Sequence, residues 1–356
     1  MTPETRLAAI RSGDRRALAR AITLAESTRS DHRRETQALL DALGPASDAT
    51  FRVGITGTPG VGKSTFIESF GLLLTRDLGL RLAVLAVDPS SSRSGGSILG
   101  DKTRMSELNR EPNAFIRPSP ASGTLGGVAR RTREAIRLCE AAAFDVVLVE
   151  TVGVGQSETA VAQTTDAFVL LVGPGGGDEL QGVKRGIMEL ADLVVVNKCD
   201  GDLAPFATAT ASDYASALRL VRPRTMTWIP EVSLASAVTG DGVATVWDAL
   251  KRYRVATALE RDRRRADQNV AWLWDEVTAE VLSRLHRHPM AAGLEAAVAA
   301  GTLGPAVAAQ RLLANLRDPR TPGDPGDPGR PAEKRATSSG DGGGPTPDWY
   351  RAERDR

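Results

Sequence analysis

The chain has 356 residues, of which 41% are apolar and 25% charged, enough for one large globular domain with appendages. The formal net charge of +1 gives no bulk electrostatic pull toward nucleic acid or a membrane surface. Two widely separated cysteines (Cys139 and Cys199) and three histidines (His32, His286, His288) exclude a disulfide framework and a Cys/His zinc cluster. The first residues, Met1 to Arg16, are charged and helical in pattern, and no stretch of eighteen apolar residues occurs. The expectation is a cytoplasmic protein with neither signal peptide nor membrane span.

In chain order, residues 1–48 read as a helical arm. Leu18, Ile22 and Ala25 recur at helical spacing, Asp14 is placed to cap a helix, and Gly44-Pro45 breaks the pattern. Residues 49–258 alternate strand and helix. Phe51–Thr56 is a β-rich run, Lys63–Leu78 a helix, and Leu82–Asp88, Val146–Glu150, Phe168–Val172 and Leu193–Asn197 are further apolar runs. Continuous apolar runs separated by helical segments predict a mostly parallel α/β sheet covered on both faces, with functional residues at the carboxyl ends of its strands.

Residues 259–317 change character. Val270, Trp274, Val277, Val281 and Leu285 form an apolar stripe at helical spacing. Packing onto the preceding domain and a dimer interface explain it equally well. A second helical stretch follows Gly304-Pro305, with Val307, Leu312 and Leu316. Residues 318–356 hold short Pro-Gly-Asp units and a glycine run, with Trp349 and Tyr350 near the end. With so little apolar area to bury, the tail is expected to be disordered.

Gly57-Thr58-Pro59-Gly60-Val61-Gly62-Lys63-Ser64-Thr65 follows the first strand and opens a helix. It matches the phosphate-binding P-loop. Glycines let backbone amides turn inward around a phosphate, and the helix N-terminus adds positive charge. Lys63 is the expected partner of the β- and γ-phosphates and Ser64 of Mg²⁺. Asn197-Lys198-Cys199-Asp200 closes a later strand as the N-K-x-D guanine motif. A buried carboxylate at Asp200 accepts from the N–H groups of guanine, which adenine lacks. Leaving it unpaired discriminates by about 10⁴. Ser236-Ala237-Val238 follows a further apolar run, Trp228–Val232, and reads as the second base loop.

Glu150-Thr151-Val152-Gly153 ends a strand where an Asp-x-x-Gly is usual in Ras-type GTPases. Glu150 reaches toward a metal-bound water and the Gly153 amide toward the γ-phosphate. No glutamine follows Gly153 directly, so unassisted hydrolysis is expected to be slow. Asp88 closes a strand as a second candidate Mg²⁺ acid. Asp101 is either a third or a surface charge. Gly173–Gly177 with the following segment to Lys184 is either a switch or a long loop.

Val87–Ser91, Gly95–Met105, Glu150–Glu158 and Gly175–Lys184 together resemble the MeaB/ArgK family over about residues 10–316. The resemblance implies a P-loop GTPase of the SIMIBI class, a homodimer through its C-terminal helices. It implies a chaperone of an adenosylcobalamin-dependent acyl-CoA mutase, most often methylmalonyl-CoA mutase, that gates cofactor loading and release. Carried over by motif, Asp88, Asp101 and Glu150 resemble metal-sphere or switch residues. Gln181 and Lys184 belong to a third switch that the mutase stabilises to accelerate hydrolysis of GTP to GDP. Ser92 and Ser94 stand where threonines are common. The alternative is a kinase-type phosphoryl transferase, as an older family label suggests. A nickel-insertion GTPase fits poorly, since His32 stands alone in the arm.

Overall fold

In the computed structural model, residues 2–45, 48–88, 105–120, 125–151, 157–175 and 185–314 are described. Three helices, α1 (Pro3–Arg11), α2 (Arg15–Glu26) and α3 (Ser30–Leu43), precede the sheet. The arm is therefore not one helix. Gly13 adopts φ +87° and Asp14 accepts from the amides of Arg16 and Ala17, which ends one helix and caps the next. Leu18, Ile22 and Ala25 all face the core, as their spacing predicts.

Seven strands form one sheet, all neighbours parallel: β1 (Phe51–Gly57), β2 (Leu82–Asp88), β3 (Ala114–Pro120), β4 (Val146–Thr151), β5 (Ala167–Val172), β6 (Leu193–Val196) and β7 (Glu231–Leu234). Their order is β3-β2-β4-β1-β5-β6-β7. Strands β4, β2 and β3 lie on one side of β1 and β5, β6 and β7 on the other, so the chain changes direction across the sheet at β1, the topological switch point. Side chains alternate between two cores. Phe51, Val53, Ile55, Val84 and Leu148 face α4 (Lys63–Leu72), which contributes Phe66, Ile67 and Phe70. Leu85, Val147, Phe168 and Val194 face the N-terminal helices and α5 (Leu125–Ala141).

The remaining helices are α6 (Ser157–Ala162), α7 (Arg185–Met188), α8 (Ala204–Leu218), α9 (Val243–Ala256), α10 (Ala258–His286), α11 (Ala291–Ala299) and α12 (Pro305–Ala314). The chain clusters into two compact units, one to Arg284 and one from Leu285. The start of α10 is clamped to the first unit by polar contacts. Arg265 makes a two-pronged bond to the buried Asp166, at 2.8 and 2.6 Å, and also donates to the Thr50 carbonyl. Asp166 accepts from the Arg52 amide at 2.9 Å, and the Arg52 side chain pairs with Glu140 at 2.6 Å. Removing one partner from such a buried set costs about 3–5 kcal/mol.

Three details differ from the sequence reading. Strand β3 was not predicted. Its Pro118 and Pro120 tell against a strand, and the sheet tolerates them because β3 is an edge. The helix after the P-loop ends in a π-helical turn, Leu73–Asp77. The apolar run from Trp228 enters its strand only at Glu231, because Trp228 packs edge-on against Tyr253, with ring centroids 5.5 Å apart. The tail 318–356 lies outside the described residues.

Candidate nucleotide site

Each piece of the site sits at the carboxyl end of a strand. The P-loop leaves β1 and turns into α4. Gly60 and Gly62 take φ of +82° and +92°, where a Cβ strains the backbone. A Cβ on Gly57 would stand 2.4 Å from the Leu171 carbonyl of the neighbouring strand. One on Gly62 would stand 2.8 Å from the Asn197 amide nitrogen. These glycines therefore answer both to the loop's turn and to close neighbours.

Lys63 opens α4 and is buried. Its Nζ donates to the carbonyls of Gly57 (2.7 Å) and Thr58 (3.2 Å), so the ammonium is held within the loop that it serves. Burial lowers its pKa, while the charges of Glu150 and Glu158 oppose that. Ser64 Oγ lies 3.4 Å from Glu150 Oε1 at the end of β4. Pro59 and Thr65 are exposed at the mouth of the loop. Glu158 at the start of α6, 1% exposed, was not singled out from the sequence as a site residue. The signal was its position in the Glu150–Glu158 motif.

The base motif is tied to the P-loop directly. Asn197, 1% exposed, donates from Nδ2 to the Val61 carbonyl at 2.9 Å and accepts at Oδ1 from the Ala237 amide at 3.1 Å. Lys198 takes φ +60° and donates to the Gly60 carbonyl at 2.8 Å. Asp200 accepts from the Ser236 hydroxyl at 2.6 Å, which also accepts from the Thr239 amide. Ser236 and Ala237 are buried, whereas Val238 is 78% exposed at the rim. One asparagine thus bridges three loops, its partners lying 136 residues before it and 40 residues after it in sequence.

Asp88 closes β2, and its side chain is outside the described residues, as are Asp101, Gly153, Gln181 and Lys184. Among the described residues no group of three or more His, Cys, Asp or Glu forms a metal cage. Hard oxygens at Ser64 and Glu150, beside a loop shaped for phosphate, do fit Mg²⁺. That ion is commonly held by one or two protein oxygens together with substrate phosphates and water. When bound, it would neutralise phosphate charge.

The described residues include no helix long and apolar enough to cross a membrane. Residues 18–290 match the family described as Methylmalonyl Co-A mutase-associated GTPase MeaB. The chain belongs to the MeaB family. A probable GTPase of Mycobacterium tuberculosis is 56% identical over 318 residues, covering 87% of this chain and 94% of that protein. GTPase ArgK of Escherichia coli is 51% identical over 278 residues, covering 78% and 84%. The mouse protein named Methylmalonic aciduria type A homolog, mitochondrial, is 50% identical over 317 residues, covering 85% and 76%. A solved structure titled LAO/AO transport system kinase aligns with a TM-score of 0.68 at 38% identity, covering 89% of this chain and 98% of that one. This member of the MeaB family is a P-loop GTPase.

Proposed function

We propose that the chain binds Mg·GTP at the loops just described and hydrolyses it slowly when alone. The product state is read by an adenosylcobalamin-dependent acyl-CoA mutase, for which methylmalonyl-CoA mutase is the first candidate. On this reading the protein is a cytoplasmic chaperone that gates loading and release of the mutase cofactor. The carrying observation is the bond from Asn197 to the Val61 carbonyl, with Lys198 on Gly60. It joins base recognition to phosphate binding, so a guanine seated on Asp200 favours the loop shape that Lys63 and Ser64 need. Family membership supports the mutase association, and the mouse relative's name points the same way. Glu150 and Ser64 are the described residues that would hold the metal. Asp88 and Asp101 are further candidates, and Gln181 and Lys184 are proposed to sense the mutase.

A homodimer fits the exposed apolar face of α10. Val270, Leu273 and Trp274 are 57%, 58% and 63% exposed on a helix whose other side is held by Arg133, through Asp275 and the Trp272 ring. The test is GTP turnover by the full chain with and without purified mutase, together with co-purification in GDP and in a non-hydrolysable GTP analogue. Acceleration and nucleotide-dependent capture are expected. An unchanged rate without capture overturns the reading, and transfer of labelled phosphate to an acceptor would favour a kinase.

A further inference from the structure

On the sheet face opposite α4, a cavity of about 490 Å³ opens between α2, α3, α5 and the middle of α10. It shares no residue with the nucleotide loops, and its size is that of a small-molecule site. Four arginines line it: Arg33 from α3, and Arg130, Arg133 and Arg137 along one face of α5. The apolar part of the wall comes from Ala25, Leu40, Pro45 and Trp272.

The cations are incompletely matched. Arg133 bonds Asp275 at 2.7 Å, and Arg137 donates to the Gly44 carbonyl and lies 3.6 Å from Glu140, which Arg52 already holds. Arg130 stands 3.9 Å from Glu134 and 3.7 Å from Glu276, beyond hydrogen-bond distance. Arg33 has no acid within 4.0 Å among the described residues. Thr36 and Arg133 are 4% and 6% exposed in the wall, and Thr36 Oγ1 and Arg133 Nη2 have no hydrogen-bond partner among the described residues. Buried donors left in that state are costly, and an oxyanion relieves the cost.

We propose that this cavity binds a small organic anion, with a phosphate or carboxylate head among the arginines and an apolar body against Leu40 and Trp272. Glu134 lies within the arginine group. Arg130, Arg133 and Arg137 share its helix, Arg33 and Asp41 face it from α3, and Glu276 from α10. Burial pushes its carboxyl up to about 7, with Glu276 adding to the rise and the arginines opposing it. Falling pH removes its charge and leaves the cavity more positive, so anions bind more tightly at pH 6 than at pH 8.

The experiment uses the full chain saturated with Mg·GDP, which keeps the P-loop occupied. Phenyl phosphate, benzoate, benzenesulfonate and, as counter-probe, benzylammonium are titrated by calorimetry. Saturable binding of phenyl phosphate and benzoate is expected, with none of benzylammonium. Benzenesulfonate, whose charge is constant, should tighten from pH 8 to pH 6. Arg33→Gln and, separately, Arg130→Gln should weaken the anions about tenfold or more while GDP affinity is unchanged. Among the described residues Arg33 has no ion pair to lose, so its variant is expected to fold. No saturable heat from either phenyl phosphate or benzoate at ~10 mM, equal binding of benzylammonium, or wild-type affinity in both variants overturns the proposal.

Discussion

The nucleotide edge of the sheet and the outer face of α10 are built in opposite ways. At the edge, nearly every functional side chain is already committed: Lys63 to Gly57 and Thr58, Asn197 to Val61 and Ala237, Asp200 to Ser236. On α10, large apolar side chains from Val270 to Leu282 stand in solvent. A site that must hold a small charged ligand is preorganised by hydrogen bonds within the chain. A surface that meets another protein leaves its apolar area exposed until the partner arrives.

The contrast breaks first at Lys63. Lys63→Ala should lower kcat/KM for GTP by about 10³-fold or more, measured by phosphate release, since it removes the charge nearest the transferred group. Gly62→Ala forces a Cβ against the Asn197 amide in a positive-φ position. It should weaken both GDP and GTP by about 100-fold, read by calorimetry. Asp200→Asn replaces the guanine-binding acceptor and should reduce the preference for GTP over ATP by roughly 100-fold, as two bonds to a charged group predict. On the other region, Trp274→Glu should shift sedimentation from dimer to monomer without changing GTP affinity. If it leaves a dimer intact, the exposed face of α10 is not the interface.

The smallest effect is one of pH. The folded carboxyl of Glu134 titrates near 7 against an ordinary 4.5. The folded state therefore holds the proton more tightly. Stability is greatest below the ordinary value and falls as pH rises toward 7. Glu134→Gln removes that loss and should stabilise the protein at pH 8 by about 1–3 kcal/mol, with little change at pH 4, read by urea unfolding.

Legibility from sequence followed how local the physics is. The P-loop and the Asn197–Asp200 motif are contiguous, so spacing alone marked them, and the strands before them were plain apolar runs. Strand β3 was hidden because Pro118 and Pro120 argue against a strand, and only its place at the sheet edge makes them harmless. Glu158 was missed as a site residue because its link to Lys63 depends on how α6 lies against the loop. The arginines of the cavity were missed for the same reason. Arg130, Arg133 and Arg137 carry no motif of their own on α5, and it is α3 and α10 that enclose them in one cavity. The stripe on α10 was seen but its partner was not, since periodicity marks an apolar face without naming what covers it.

The Ser236 bond to Asp200 has a consequence for biosynthesis. During translation the P-loop emerges early, yet the base loop that completes it follows the last strand of the sheet. A nascent chain ending before residue 231 carries every phosphate-binding residue of β1 and α4 and still lacks the support of its purine pocket. Guanine selectivity should therefore arise late, in one step, when β7 docks beside β6.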